Sequence, residues 1–236
     1  MKFTTLALAA TLLFAGSAQA NESVIRKALT QQFPGATITS VQKTPYSGLF
    51  EVYLDGQLVY VDAKAQYLFA GDVIDLKNRV NLSQARLNQL QAVKWDVFPL
   101  NNALKTVKGN GARKLILFSD VDCPFCRKFE AELAKVDNIT VYTFLYPIEG
   151  LHPKAPQISK QIWCAPDRNK AWDDYISSGS VPKNDGKCAN PVDANIALGN
   201  KLKVSGTPTL FFANGQRVPG MIPAAQLEKL LAANAK

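Results

Sequence analysis

The chain has 236 residues, of which 47% are hydrophobic and 19% charged, and 27 Lys and Arg against 19 Asp and Glu give a formal charge of +8. That apolar content is ample for packed cores, and the length suits two domains better than one. The basic residues are scattered, without long basic runs or alternation of arginine with aromatic residues. This argues against nucleic-acid binding and points to solubility and weak attraction to acidic surfaces. Residues 1–20 read as a cleavable secretory signal: Lys2 is the positive start, Leu6 to Phe14 the short apolar core, and Ala18-Gln19-Ala20 the small-x-small cleavage site. The mature chain is expected to begin at Asn21. No later stretch approaches the ~20 apolar residues of a membrane span, so the expected product is exported, in a compartment where disulfides persist.

Residues 22–33 place Val24, Ile25, Ala28, Leu29 and Phe33 on one side of a helix that Pro34-Gly35 stops. Four strands follow, at 36–41, 49–54, 58–62 and 67–73, with Asp55-Gly56 as a hairpin turn. A unit of about 55 residues has a marginal core of its own. Pairing with a second copy would cover an edge strand, so dimerisation through residues 21–76 is expected. Residues 77–97 are polar and, with Leu82, Ala85, Arg86 and Leu90, predict a semi-rigid linker helix. The second module, 98–236, opens at Phe98-Pro99-Leu100 and predicts a buried strand over 114–118, an amphipathic helix from 123 and a second buried strand over 139–146. A loop-rich and then helical insertion, about 148–203, separates these from a strand at 208–212, an Asn214-Gly215 turn, a return strand at Arg217-Val218 and a final helix near 223–232.

Cys123-Pro124-Phe125-Cys126 lies where the first of these strands gives way to the helix carrying Cys126, Phe129, Leu133 and Val136 on one face. Two thiols so spaced can close a small ring that opens readily. A helix start, with unpaired N–H groups and partial positive charge, favours the thiolate. Pro124 suits the first turn, where its missing N–H matters little. The segment reads as a dithiol–disulfide exchange site. The bland alternative is half of a structural zinc site, completed by the remaining cysteines, Cys164 and Cys188; neither forms a second CxxC or sits in a histidine cluster. No metal and no cofactor is expected.

The strand, the CxxC and the distant Val204-Ser205-Gly206-Thr207-Pro208 resemble the thioredoxin fold. With Phe118-Ser119-Asp120 before the motif, the N-terminal meander, the linker, the signal sequence and a second cysteine pair, nearly the whole chain resembles the periplasmic disulfide isomerases of the DsbC/DsbG type. That resemblance implies an α+β chain: a cystatin-like N-terminal dimerisation domain, a helical linker and a C-terminal thioredoxin-like domain with a helical insertion. It further implies a periplasmic homodimer acting on misfolded or wrongly disulfide-bonded exported proteins, and a membrane reductant of the DsbD type. One departure is Pro-Phe between the cysteines, where DsbC usually has Gly-Tyr; Pro-aromatic resembles DsbG, whereas the short linker resembles DsbC.

Cys123, nearer the helix start, is expected to be the nucleophile and the more exposed of the two, and Cys126, a turn deeper, the resolving thiol. The resemblance implies that Thr207 and a cis Pro208 face the CxxC and present backbone to an extended substrate; the ordinary reading of Pro208 is a strand opener. Cys164 and Cys188, about 25 residues apart, are implied to form a structural disulfide worth about 3 kcal/mol by loop entropy. Asp120 and Asp122 are expected to cap or face solvent, and His152, the only histidine, to lie on the surface in a loop. Trp95, Trp163 and Trp172 read as packing residues. The functions in competition are a disulfide isomerase, a DsbG-like reductase of sulfenylated cysteines, a dithiol oxidase, and a chaperone in which the CxxC is incidental.

Overall fold

The structure, a computed structural model, describes residues 16–46 and 48–234. The expected signal sequence lies outside the described residues except for 16–20, which begin a helix. The chain divides into two compact units, one ending at Leu90 and the other beginning at Gln91. Among the described residues no helix is long and apolar enough to cross a membrane.

In the first unit α1 (Gly16–Gln32) covers an antiparallel sheet of β1 (Ile38–Lys43), β2 (Leu49–Leu54), β3 (Gln57–Asp62) and β4 (Leu68–Phe69), ordered as in the chain. Ile25 and Leu29 of α1 pack on Val41, Phe50, Val52, Val59 and Val61, the inward positions of alternating strands. Asp55 and Gly56 both have positive φ (47° and 84°), which a two-residue hairpin turn demands, and they set Leu54 opposite Gln57.

Two sequence expectations are corrected here. The strand expected over 67–73 is only Leu68–Phe69, and the chain then forms a second small hairpin, β5 (Ile74–Asp75) and β6 (Val80–Asn81). The helix expected over 77–97 is α2 (Leu82–Leu90) alone. It is fastened to the first sheet by polar contacts: Arg86 reaches Glu51 and Gln42, and the Ser83 hydroxyl meets the Tyr60 hydroxyl at 2.6 Å and accepts the Val73 amide at 2.8 Å.

The second unit is a five-stranded mixed sheet of β7 (Leu104–Lys108), β8 (Arg113–Ser119), β9 (Ile139–Leu145), β10 (Thr209–Phe212) and β11 (Arg217–Pro219), in the order β11-β10-β8-β9-β7. Only β8 and β9 run parallel, joined through α3 (Pro124–Leu133). The central strand β8 is buried on both faces, which accounts for its unbroken apolar run. Leu115 and Leu117 face Phe129 and Leu133 of α3 and Leu227 and Leu231 of a C-terminal helix (Ala224–Ala233). Ile116 and Phe118 face the other way, into an aromatic cluster with Phe98, Phe144, Tyr146 and Phe211, in which Phe118 and Phe144 stack with centroids 5.1 Å apart.

The insertion between β9 and β10 is three helices, α4 (Ala155–Trp163), α5 (Arg168–Ser178) and α6 (Val192–Lys201), so that the C-terminal helix is α7. Their core holds Trp163, Trp172 and Val192 together with Val121, from the segment just before the CxxC. Trp95 packs edge-on against Phe98 and Tyr142. A disulfide joins Cys164, at the end of α4, to Cys188, ahead of α6.

Candidate active site

At the end of β8 the chain turns through Asp120 and Asp122 into α3. Asp120 is fully buried, and its carboxyl oxygens are satisfied there: they accept the Asp122 amide at 2.9 Å and the Ile148 amide at 2.7 Å and share a 2.9 Å hydrogen bond with His152 Nδ1. Contrary to expectation, Asp120 thus neither caps α3 nor faces solvent, and the expected surface His152 has its ring half-buried against Asp120. The carboxylate binds the turn at 148–152 to the segment that delivers the first cysteine.

Cys123 is the N-cap of α3, and its carbonyl accepts the amides of Cys126 and Arg127 at 3.1 and 3.2 Å. Its side chain does no capping, so Sγ is free to point elsewhere. It donates instead to the Thr207 carbonyl oxygen, 3.3 Å away, across a Thr207–Pro208 bond that is cis. Pro208 is fixed in turn by the Gly220 amide, which donates to its carbonyl at 2.7 Å. Cys123 is 5% exposed and Cys126 1%. Both are free thiols. Burial pushes the Cys126 thiol up to about 12, outweighing the hydrogen bonding around it, and a negative charge on Cys123 pushes the same way. Phe125, between them, is 55% exposed, with the Lys128 ammonium 5.4 Å from its ring centroid.

Asp122 accepts a 2.5 Å hydrogen bond from the Tyr175 hydroxyl of α5. Burial, then that carboxylate, push the Tyr175 phenol up to about 12. Arg127, one turn into α3, donates to the Tyr175 and Ile176 carbonyls at 3.1 and 2.8 Å, placing a cation at the end of α5. These contacts clamp the insertion to the start of α3. Sequence reasoning missed Tyr175, Arg127 and Ile148, whose partners lie 28 to 53 residues away in the chain. With Cys164 and Cys188 bonded to each other, no further cysteine remains to complete a zinc site with Cys123 and Cys126. Among the described residues no cluster of three or more His, Cys, Asp or Glu side chains is placed to hold a metal ion.

A thioredoxin-like domain model matches residues 100–235, and the model of the disulfide bond isomerase protein N-terminal domain matches residues 16–84. Over 218 residues the chain is 40% identical to the probable thiol:disulfide interchange protein DsbC of Bordetella pertussis, an alignment covering 91% of this chain and 77% of that protein. The chain belongs to the DsbC family. Another DsbC, that of Escherichia coli K12, is 30% identical over 237 residues, covering 98% of this chain and 94% of its own length. Among solved structures, a disulfide interchange protein from Neisseria gonorrhoeae is 44% identical with a TM-score of 0.56, over 59% of this chain and 99% of that one. Membership in the DsbC family makes the chain a thiol–disulfide oxidoreductase of the isomerase type, with an α+β fold that joins the family's N-terminal domain to a thioredoxin-like one.

Proposed function

We propose that the chain is a periplasmic, homodimeric disulfide isomerase in which Cys123 is the nucleophile and Cys126 the resolving thiol. The observation that carries this reading is their unequal placement. Cys123 Sγ sits at the helix start, facing the Thr207 carbonyl, while Cys126 is sealed beneath it.

Cys123 thiolate attacks one sulfur of a substrate disulfide; that bond breaks and the other substrate sulfur leaves as a thiolate. Two exits follow from the mixed disulfide. A second substrate thiolate can attack the substrate sulfur and expel Cys123, leaving a rearranged substrate and an unchanged enzyme. Alternatively, Cys126 attacks Cys123 Sγ and expels the substrate thiolate. The substrate is then reduced by two electrons and the enzyme holds a Cys123–Cys126 disulfide, so a reductant must reset it; a membrane protein of the DsbD type fills that role in this reading. Thr207 and Pro208 present backbone to an extended substrate beside the sulfur.

Dimerisation is supported by the first unit, which leaves Tyr67 67% and Leu76 85% exposed, with Leu68, Phe69, Ile74 and Val80 also open around its edge strand β4. The export signal in residues 1–20 supports the periplasm.

A second reading, a DsbG-like reductase of sulfenylated cysteines with chaperone activity, is favoured by Pro124-Phe125 alone. One experiment separates the two: reactivation of a scrambled, fully oxidised multi-disulfide protein by the mature chain under mild reducing conditions, with Cys123→Ser as control. Recovery that depends on Cys123 supports the isomerase. Absence of recovery from folded, reduced protein transfers the weight to the reductase.

A further inference from the structure

Between α3, α5 and the strands β7 and β9 lies a cavity of about 570 Å3. Much of its wall is apolar, from Leu133, Val141, Trp172 and Ile176. Its cations are already committed. Lys108 Nζ donates to the Leu133 and Ala134 carbonyls at 3.1 and 2.7 Å, and Arg127 is held by the end of α5. Its acids are not. The Trp172 indole lies beside the Glu130 carboxyl and lowers its pKa, yet Glu130 Oε1 is cut off from solvent and has no hydrogen-bond partner. Asp173 stands at the exposed rim. Neither acid forms an ion pair among the described residues. A buried carboxylate oxygen without a donor is unfavourable, and such groups in folded proteins are normally satisfied.

We propose that this cavity binds a small organic cation, an ammonium or guanidinium group on an apolar body, with Glu130 as its counter-ion and hydrogen-bond acceptor. The volume falls within the ~300–1,000 Å3 of ordinary small-ligand sites, which combine apolar walls with a few placed polar groups. A metal ion fits poorly, because the cavity offers two carboxylates and no third His, Cys, Asp or Glu side chain. The same cationic chemistry comes either from a free amine or from an arginine or lysine side chain within a peptide. Burial pushes the Glu130 carboxyl up to about 7, with Asp173 raising it further and Lys108 opposing. Asp173 is itself raised by burial and by Asp174 and Asp167, while Lys170 opposes. Affinity therefore rises as pH climbs through neutrality and Glu130 ionises. Glu130 is not among the groups that bear on Cys126, and Cys123 hydrogen-bonds to Thr207 instead.

The test is a nuclear magnetic resonance titration of the 15N-labelled mature chain with n-butylguanidinium and, separately, with a capped peptide carrying one central arginine. The readout is the Trp172 indole N–H, assigned by its loss in Trp172→Phe. The expected result is a saturable shift that butyramide does not produce and that weakens on the order of tenfold in Glu130→Gln. Ala131→Leu, which fills the cavity and leaves Glu130 intact, should remove it, with amide spectra elsewhere showing that both variants fold. A response to the free cation alone identifies a small-molecule site; a response to the peptide alone identifies a side-chain receptor, and either supports the cationic reading. No saturable response to both probes, or equal affinity in Glu130→Gln, overturns it.

Discussion

Glu130 also supplies the most discriminating stability experiment. Its carboxyl is raised from 4.5 to about 7, chiefly by burial. Between those values the folded chain keeps a proton that the unfolded chain has released, so stability falls as pH rises from about 4.5 and levels off above about 7. At about 1.4 kcal/mol per pKa unit, the loss amounts to roughly 3 kcal/mol. Glu130→Gln removes the ionisation and keeps an acceptor for the Trp172 indole. Its stability relative to wild type should therefore grow with pH: nearly level at about pH 4.5 and up to about 3 kcal/mol higher at about pH 8. Urea unfolding of both proteins by near-ultraviolet circular dichroism at several pH values measures this difference. If it stays constant between acid and alkaline conditions, Glu130 does not titrate as a buried acid and the reasoning is wrong.

Three further outcomes can be checked. Both thiols are buried, but only Cys126 is raised to about 12, so iodoacetamide at about pH 8 should modify the reduced chain at Cys123 before Cys126; peptide mass spectrometry showing equal labelling would contradict the unequal placement. Asp120→Ala strands the Asp122 and Ile148 amides and should cost about 2–4 kcal/mol in denaturant unfolding, whereas a loss below about 0.5 would mean that the three bonds are dispensable. Gly199→Ala places a Cβ into the Tyr146 ring, which is itself anchored to the Val204 carbonyl and to Asn200; about 1–3 kcal/mol of destabilisation is expected from thermal melts, and a neutral result would show that the ring moves freely.

The second unit was more legible in the sequence than the first. An apolar strand, a CxxC and an amphipathic helix are each local patterns, and the 114–118 and 139–146 readings fall within a residue or so of β8 and β9. Strand β7 does not stand out in the sequence: Leu104-Lys105-Thr106-Val107-Lys108 carries a partial alternation but is polar enough to pass for loop. The 74–81 hairpin lacks the Gly or Pro that usually marks a turn. It is built instead on the Asp75 side chain, which accepts the Lys77 and Asn78 amides, and on Arg79 at a φ of 55°. Helix α2 is shorter than its sequence suggests because polar residues without breakers allow a helix anywhere, and only its contacts to Glu51, Gln42 and Tyr60 decide where it sits. Around the thiols, what could not be read was everything carried by distant partners. Nothing near Asp120 announces His152, and nothing near Asp122 announces Tyr175.

The concealment of Cys126 sets a clock. Burial holds the Cys126 thiol well above its ordinary range, so little of it is thiolate at neutral pH, and in the proposed cycle escape through it is slow compared with attack by a well-placed substrate thiolate. In the proposed cycle a captured protein thus has an interval in which to find a better pairing by itself before it is released reduced. Depth of burial at one sulfur becomes dwell time, and dwell time decides how often a tangled chain leaves repaired instead of merely opened.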